Sequence, residues 1–412
     1  MSGLDGAAAD ATDAASTEAA STEAASMEAA EGTAGPVWSS SALPPVAHRR
    51  ERLAGPDVTR ALALVGVVIM NYHGYLNGID AAAGSDATLP QRWFDPWTGV
   101  LSTRFAATFV LVAGVGVTLL TQRSRAGGDR AAIRDDRWRL VRRGVLLYAV
   151  GFVLDWIWPG TILFFYGAFF MAAALLFTLR TRWLVAVGAA AAIAAALIQW
   201  QVVVHDRDGD PLSWLTSPDT LSSRSPRGLV LDTFVNGTHP LLPWLAFLCA
   251  GMVLGRSLGR VRLGLVAAAG ASVTALTYLV NHLLTNGHAD DVVRVAIWST
   301  RPFDRGLLYT LGTLGSSLAA FCLVSLAAER WRSTLLVRVL RSAGEMTLSI
   351  YVAHVFVFRG LVDRAEMVGG TGLDTALVFS LTFWVFALAI AAWWRRFVGL
   401  GPLERIYRRF GG

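Results

Sequence analysis

The chain has 412 residues, 54% of them hydrophobic and only 16% charged, with a mean hydropathy of +0.48. A water-soluble domain carries roughly a quarter charged residues, so this balance excludes one, as it excludes a wholly disordered chain, and two cysteines exclude a disulfide scaffold. All 36 basic residues are arginine, and the net charge of +6 resides in short segments between apolar runs, a distribution that orients a membrane protein rather than grips nucleic acid.

Residues 1–50 repeat Ala-Ala-Ser-Thr-Glu from Ala14 and carry few large apolar side chains before Val37. Such a segment buries too little surface to offset the entropy of ordering, so it reads as an acidic, disordered cytoplasmic tail. It has no basic start followed by an apolar core, and so is not read as a signal peptide. A bilayer core needs roughly 20 apolar residues per helix. Ten runs meet or approach that length, near 58–78, 100–121, 144–158, 161–179, 183–204, 238–256, 261–284, 305–328, 343–362 and 373–394. Trp156-Ile157-Trp158-Pro159-Gly160 separates the third from the fourth, a tight reversal built on helix breakers. The expected fold is therefore all-α: a polytopic integral membrane protein with about ten transmembrane helices spanning residues 51–412.

An even number of spans places both termini on one side, and the segments on that side hold 26 of the 36 arginines. The positive-inside rule makes that side cytoplasmic. The expected location is the cell inner (cytoplasmic) membrane, crossed many times. Cys249 and Cys322 fall inside spans and read as small apolar residues.

Ionisable residues in or at the ends of spans are costly and mark function by default. The outer ends collect His73, Arg104, Asp155, Asp232, His239, His282, Asp304, Arg305, His354 and Arg359, interleaved with Trp93, Trp97, Trp156, Trp158, Trp244 and Trp298. Together they suggest a polar, aromatic-lined cavity for a sugar or another hydroxylated ligand. Blander readings stand beside this one: interfacial tryptophans anchor helices, Asp304-Arg305 suits a local ion pair, and His282 suits a solvated loop end. His354 shares an otherwise apolar helix with Ser349 and Tyr351, and a buried imidazole there must find a partner.

The first span opens with Asp57 and Arg60, one turn apart, which suits a cap with a surface charge or a contact with an anionic ligand. It closes with Met70-Asn71-Tyr72-His73-Gly74-Tyr75, in which Asn71 and Tyr75 share a face while His73 points roughly the other way. His73 is the leading acid/base candidate, its ordinary pKa near 6.5 suiting proton removal from a hydroxyl or amine. Thr238-His239-Pro240-Leu241-Leu242-Pro243-Trp244 opens the sixth span with two prolines, as a plain helix start or as a ligand-site entry. Gly401-Pro402-Leu403-Glu404-Arg405 begins an amphipathic stub suited to the inner leaflet.

These motifs carry a resemblance. Asp57-x-x-Arg60, Ala63-Leu64-x-Gly66 and Asn71, with Gly401 to Glu404, resemble the YeiB-like bacterial membrane proteins, a family of unknown function. Arg139-x-x-Arg142-Arg143, Ile162-Leu163-x-x-Tyr166-Gly167, and the sixth span from Thr238 through Gly251 to Gly255-Arg256 resemble heparan-α-glucosaminide N-acetyltransferase-type proteins. Gly344-Glu345-Met346-Thr347-Leu348-Ser349-Ile350-Tyr351-x-x-His354 resembles a segment of both. The resemblance implies a transmembrane acyltransferase that takes an acyl group, often acetyl, from cytoplasmic acyl-CoA and gives it to an outer sugar or small-molecule acceptor. It implies CoA phosphates at Arg60, Arg142 and Arg143, while the reading of the residues themselves offers catalytic candidates among His73, His239, Asn71 and His354 and acceptor contacts among Trp97, Arg104, Asp155, Trp244 and Tyr351. Asp57, Gly401, Pro402 and Glu404 carry over as structural motif residues. The chain departs from the sugar-acylating relatives at Asn71, where they commonly carry His, although Asn is usual in the YeiB-like branch. Asn cannot act as a general base.

Two other classes stay open: a transporter or flippase exporting a metabolite or lipid, favoured by the Pro-interrupted sixth span, and a scaffold or sensor using its tail. The lipid bilayer is the expected surround. No nucleic-acid partner and no metal site are expected, and homo-oligomer formation is left open.

Overall fold

Helix covers most of each of the ten apolar runs. The computed structural model describes residues 53–77, 87–216, 225–369 and 371–412, and the expectation of a disordered tail at 1–50 falls outside them. The principal helices are α1 (Ala54–Asn77), α2 (Arg104–Leu120), α3 (Arg130–Asp155), α4 (Ile162–Leu176), α5 (Thr181–Arg207) and α6 (Leu241–Ser257). They continue with α7 (Leu263–Thr285), α8 (Leu307–Arg330), α9 (Leu335–Gly344), α10 (Thr347–Phe358), α11 (Leu373–Phe397) and α12 (Pro402–Gly411).

Five of these (α1, α5, α7, α8 and α11) are each long and apolar enough to cross a bilayer, and two bent pairs raise the number to seven. One pair is Pro226–Asn236 with α6, bent by 53°; the other is α9 with Thr347–Arg364, bent by 80°. The apolar helices α2 and α4 are shorter, at 17 and 15 residues. The protein is thus an all-helical membrane protein.

Two boundaries differ from the sequence expectation. The third run was placed at 144–158, yet α3 begins at Arg130, capped by the Asp129 side chain on the Ala131 amide. Its arginines are good helix formers, and an Asp136–Arg139 pair at 2.8 Å supports the added turns. The run at 343–362 is divided: α9 ends at Gly344 and α10 begins at Thr347. Gly344 lies so close to α1 that a Cβ there would sit 1.9 Å from the Asp57 carbonyl oxygen, and the chain turns at that contact.

α1 is the central helix, packing against α2, α8, α9, α10 and α11. Its apolar window is 72% buried, whereas that of α7 is 17% buried and faces outward. Small residues let the helices approach. A Cβ on Gly251 of α6 would meet the Leu111 carbonyl of α2 at 2.0 Å, and one on Gly151 of α3 would meet the Phe164 amide of α4 at 2.2 Å.

Candidate active site

At the end of the bundle remote from the arginine-rich segments, α1, the 156–161 reversal and α10 meet. Gly160 closes that reversal with φ +80°, a left-handed conformation that glycine adopts freely. The Asn71 amide nitrogen lies 3.1 Å from His354 Nε2. His354 Nδ1 is bonded to the Tyr351 carbonyl one turn back, and a carbonyl only accepts, so Nδ1 carries the proton. Nε2 therefore presents its lone pair, and Asn71 donates to it.

The surroundings hold that ring in place. The Tyr72 hydroxyl donates to the His354 carbonyl at 3.0 Å. Trp158 meets the imidazole edge-on at 5.6 Å, and the Tyr351 ring lies 4.8 Å away. The Tyr351 hydroxyl is tied to Thr161 Oγ1 at 2.8 Å and accepts from the Ile162 amide at 3.1 Å. His354 itself is wholly buried. Asn71, partly exposed, is its polar neighbour on the open side.

The other two candidate imidazoles adopt the same tautomer at separate places. His73 Nδ1 donates to the Phe94 carbonyl at 2.8 Å, on the side of α1 facing the 94–99 loop. The helical period thus sends His73 and Asn71 to different neighbours, and His73 does not join Asn71. His239 Nδ1 lies 2.9 Å from Thr238 Oγ1, which itself donates to the Gly160 carbonyl at 3.2 Å. The hydroxyl must then accept from the ring, again leaving Nε2 free to accept. Trp244 closes over His239 edge-on at 4.6 Å.

Most of the remaining polar residues tie helices together. Arg104 donates to Val100 and Gly312 carbonyls, the Ser316 hydroxyl and the Tyr278 hydroxyl, joining α2, α7 and α8. Arg305 turns away from Asp304, at φ 52°, to the carbonyls of Val235, Asn236 and Gly237. Arg359 donates twice to the Ile157 carbonyl, at 2.6 and 3.0 Å. Asp155 accepts from the Gly160 amide at 2.8 Å, and Trp97 lies 5.5 Å from the Phe303 ring.

At the arginine-rich end, Arg60 pairs with Asp57 at 3.2 Å and donates to the Gly344 carbonyl at 3.4 Å. The Arg143 guanidinium lies 5.0 Å from the centre of the Tyr407 ring, a cation–π contact, and Arg142 beside it is exposed. Burial pushes the Tyr407 hydroxyl up to about 12, with Arg143 and Arg60 pulling the other way, so Arg143 meets a neutral phenol. Glu404 accepts from the Leu348 amide at 2.8 Å, the Ser349 amide at 3.0 Å and the Ser349 hydroxyl at 2.5 Å. It thereby caps the first turn of α10, the helix that carries His354.

A helical membrane bundle with a buried, oriented imidazole at one end and arginines at the other defines the class. The chain belongs to the heparan-alpha-glucosaminide N-acetyltransferase catalytic family, whose model matches residues 52–285, more than half its length. A second family, described as a protein of unknown function (DUF418) and corresponding to the YeiB-like group, matches residues 252–411. No curated protein matches the chain. The first match holds Asn71, the second holds His354 and Glu404, and the 3.1 Å contact joins the two.

Sequence reasoning grouped Trp158 with His354 as cavity lining but passed over Tyr72 and Thr161 as parts of the same cluster. Thr161 and Trp158 lie in the reversal that brings α4 beside α10, and only the fold sets them against a helix some 190 positions onward.

Proposed function

We propose that the protein is a membrane acyltransferase that moves an acetyl-type group from cytoplasmic acyl-CoA to an outer acceptor, a sugar or another small molecule bearing a hydroxyl or amine. The observation that carries this reading is the Asn71–His354 contact in a chain of an N-acetyltransferase family. On this reading the ten helices on the apolar runs all cross the inner membrane, with both termini and the arginine-rich end in the cytoplasm. The distribution of arginine supports that orientation.

His354 Nε2 accepts the proton of the acceptor group as its oxygen or nitrogen attacks the thioester carbonyl. The Asn71 amide, released from Nε2, donates to the oxyanion that forms. Collapse of the tetrahedral intermediate breaks the carbon–sulfur bond, and the departing thiolate of CoA takes the proton from the imidazolium. Tyr351, Tyr72 and Trp158 keep the ring at its angle. At the donor end, Arg143 and Arg139 each have a buried Nε without a hydrogen-bond partner among the described residues, which suits phosphate recognition beside Arg60 and Arg142.

Calorimetry of detergent-purified protein with CoA tests the donor side. Binding is expected, weakened about tenfold or more in the Arg142→Ala/Arg143→Ala variant. Folded protein that binds no CoA refutes the assignment. The bend between Pro226–Asn236 and α6 favours a second reading, a transporter or flippase. A pocket lined by Gln199, Thr216, Asn236, Leu242 and Arg305 among others adjoins it. Solute or lipid movement by reconstituted protein without CoA would select that reading.

A further inference from the structure

Of the eight tyrosines, six have a hydroxyl hydrogen-bonded within the protein: Tyr72, Tyr75, Tyr148, Tyr278, Tyr309 and Tyr351. Tyr166 differs. Its side chain is 6% exposed, and its hydroxyl is buried without a partner among the described residues. A buried hydroxyl left without a bond is costly, so this one is set for an acceptor that the folded chain does not provide.

Its place is well defined. Tyr166 lies one turn into α4 from Ile162, whose amide is bonded to the Tyr351 hydroxyl at the His354 site. One turn further along α4, the Phe170 ring meets that of Tyr407 at 6.3 Å, and the Arg143 guanidinium lies over Tyr407. Tyr166 stands one turn from Ile162 and one turn from Phe170, and so falls between the imidazole and the Arg143 end. Phe109 and Phe169 flank its ring at 5.4 and 6.0 Å, both edge-on. The neighbouring Gly167 packs so tightly on α3 that a Cβ would lie 2.4 Å from the Tyr148 amide, which fixes the face of α4 that Tyr166 occupies.

We propose that the Tyr166 hydroxyl donates a hydrogen bond to a carbonyl of the acyl-pantetheine arm of the donor, between the arginines and His354. Phenylalanine-lined surroundings disfavour an anion and suit a neutral carbonyl on an otherwise apolar arm. That arm carries such groups in its two amides and in its thioester. The proposal rests on the acyl-CoA reading above, and makes Tyr166 a donor-binding residue.

The test is Tyr166→Phe in the full chain, purified in detergent, with CoA and acetyl-CoA binding measured by calorimetry and thermal unfolding measured without ligand. The variant is expected to unfold at the wild-type temperature or above, because it loses an unpaired polar group. It is expected to bind acetyl-CoA about three- to tenfold more weakly. An equal loss for CoA assigns the contact to a pantetheine amide, and a loss for acetyl-CoA alone assigns it to the thioester carbonyl. Unchanged affinity for both ligands overturns the proposal, and so does weaker binding with a lowered unfolding temperature, which marks the hydroxyl as structural. Wild-type protein that binds neither ligand refutes the acyl-CoA reading itself, and the Tyr166 contact with it.

Discussion

Replacing Glu404 by alanine removes every acceptor atom that its side chain offers to the start of α10. The Leu348 and Ser349 amides and the Ser349 hydroxyl lose bonds of 2.8, 3.0 and 2.5 Å. Each unpaired amide costs about 1 kcal/mol where water can partly replace the carboxylate, and the lost negative charge at a helix N-terminus adds about 0.5–1 kcal/mol. The total, near 3 kcal/mol, corresponds to a fall in Tm of roughly 3–4 °C at about 1.2 °C per kcal/mol for a chain of this size. Thermal unfolding of the detergent-solubilised variant measures it. Glu404→Gln keeps one acceptor oxygen and should lose about half as much. His354 lies five residues beyond Ser349 on the same helix, so acetyl transfer should fall in step with the loss of the cap. A Glu404→Ala protein whose Tm stays within about 1 °C of wild type would refute the capping argument.

His354→Gln should abolish acetyl transfer while CoA binding persists, since Gln brings no base of suitable pKa. His73→Gln should retain transfer, because His73 faces the Phe94 loop; the reverse pattern in a transfer assay would move the base to His73. Gly251→Leu should prevent accumulation of folded protein, because even a Cβ there meets the Leu111 carbonyl of α2 at 2.0 Å. A monodisperse Gly251→Leu protein on size-exclusion chromatography would contradict that packing.

The helices were legible in the sequence because apolar runs of bilayer length have few alternatives. The opposed directions of Asn71 and His73 followed equally from helical period. Partners were not legible, since the contact of Asn71 lies 283 positions away. Adjacency misdirected the reading at Asp304-Arg305: a left-handed φ at Arg305 turns the guanidinium to the carbonyls of 235–237 instead. The helix at 335–344 was missed because Arg338 and Arg341 interrupt its apolar residues, which line only one face. The Gly401–Glu404 pattern was recognisable as a motif, yet its capping role depends on α11 returning the chain to the start of α10.

That return imposes an order on assembly. Leu348 and Ser349 emerge from the ribosome 56 and 55 positions before the carboxylate that completes their turn. Between them α11 must form and carry the chain back to the start of α10. Until then the Leu348 and Ser349 amides lack the carboxylate that accepts from them. The cap on the histidine-bearing helix is therefore completed only after α11 has been made, whereas Tyr72, Trp158 and Thr161 precede the imidazole they surround.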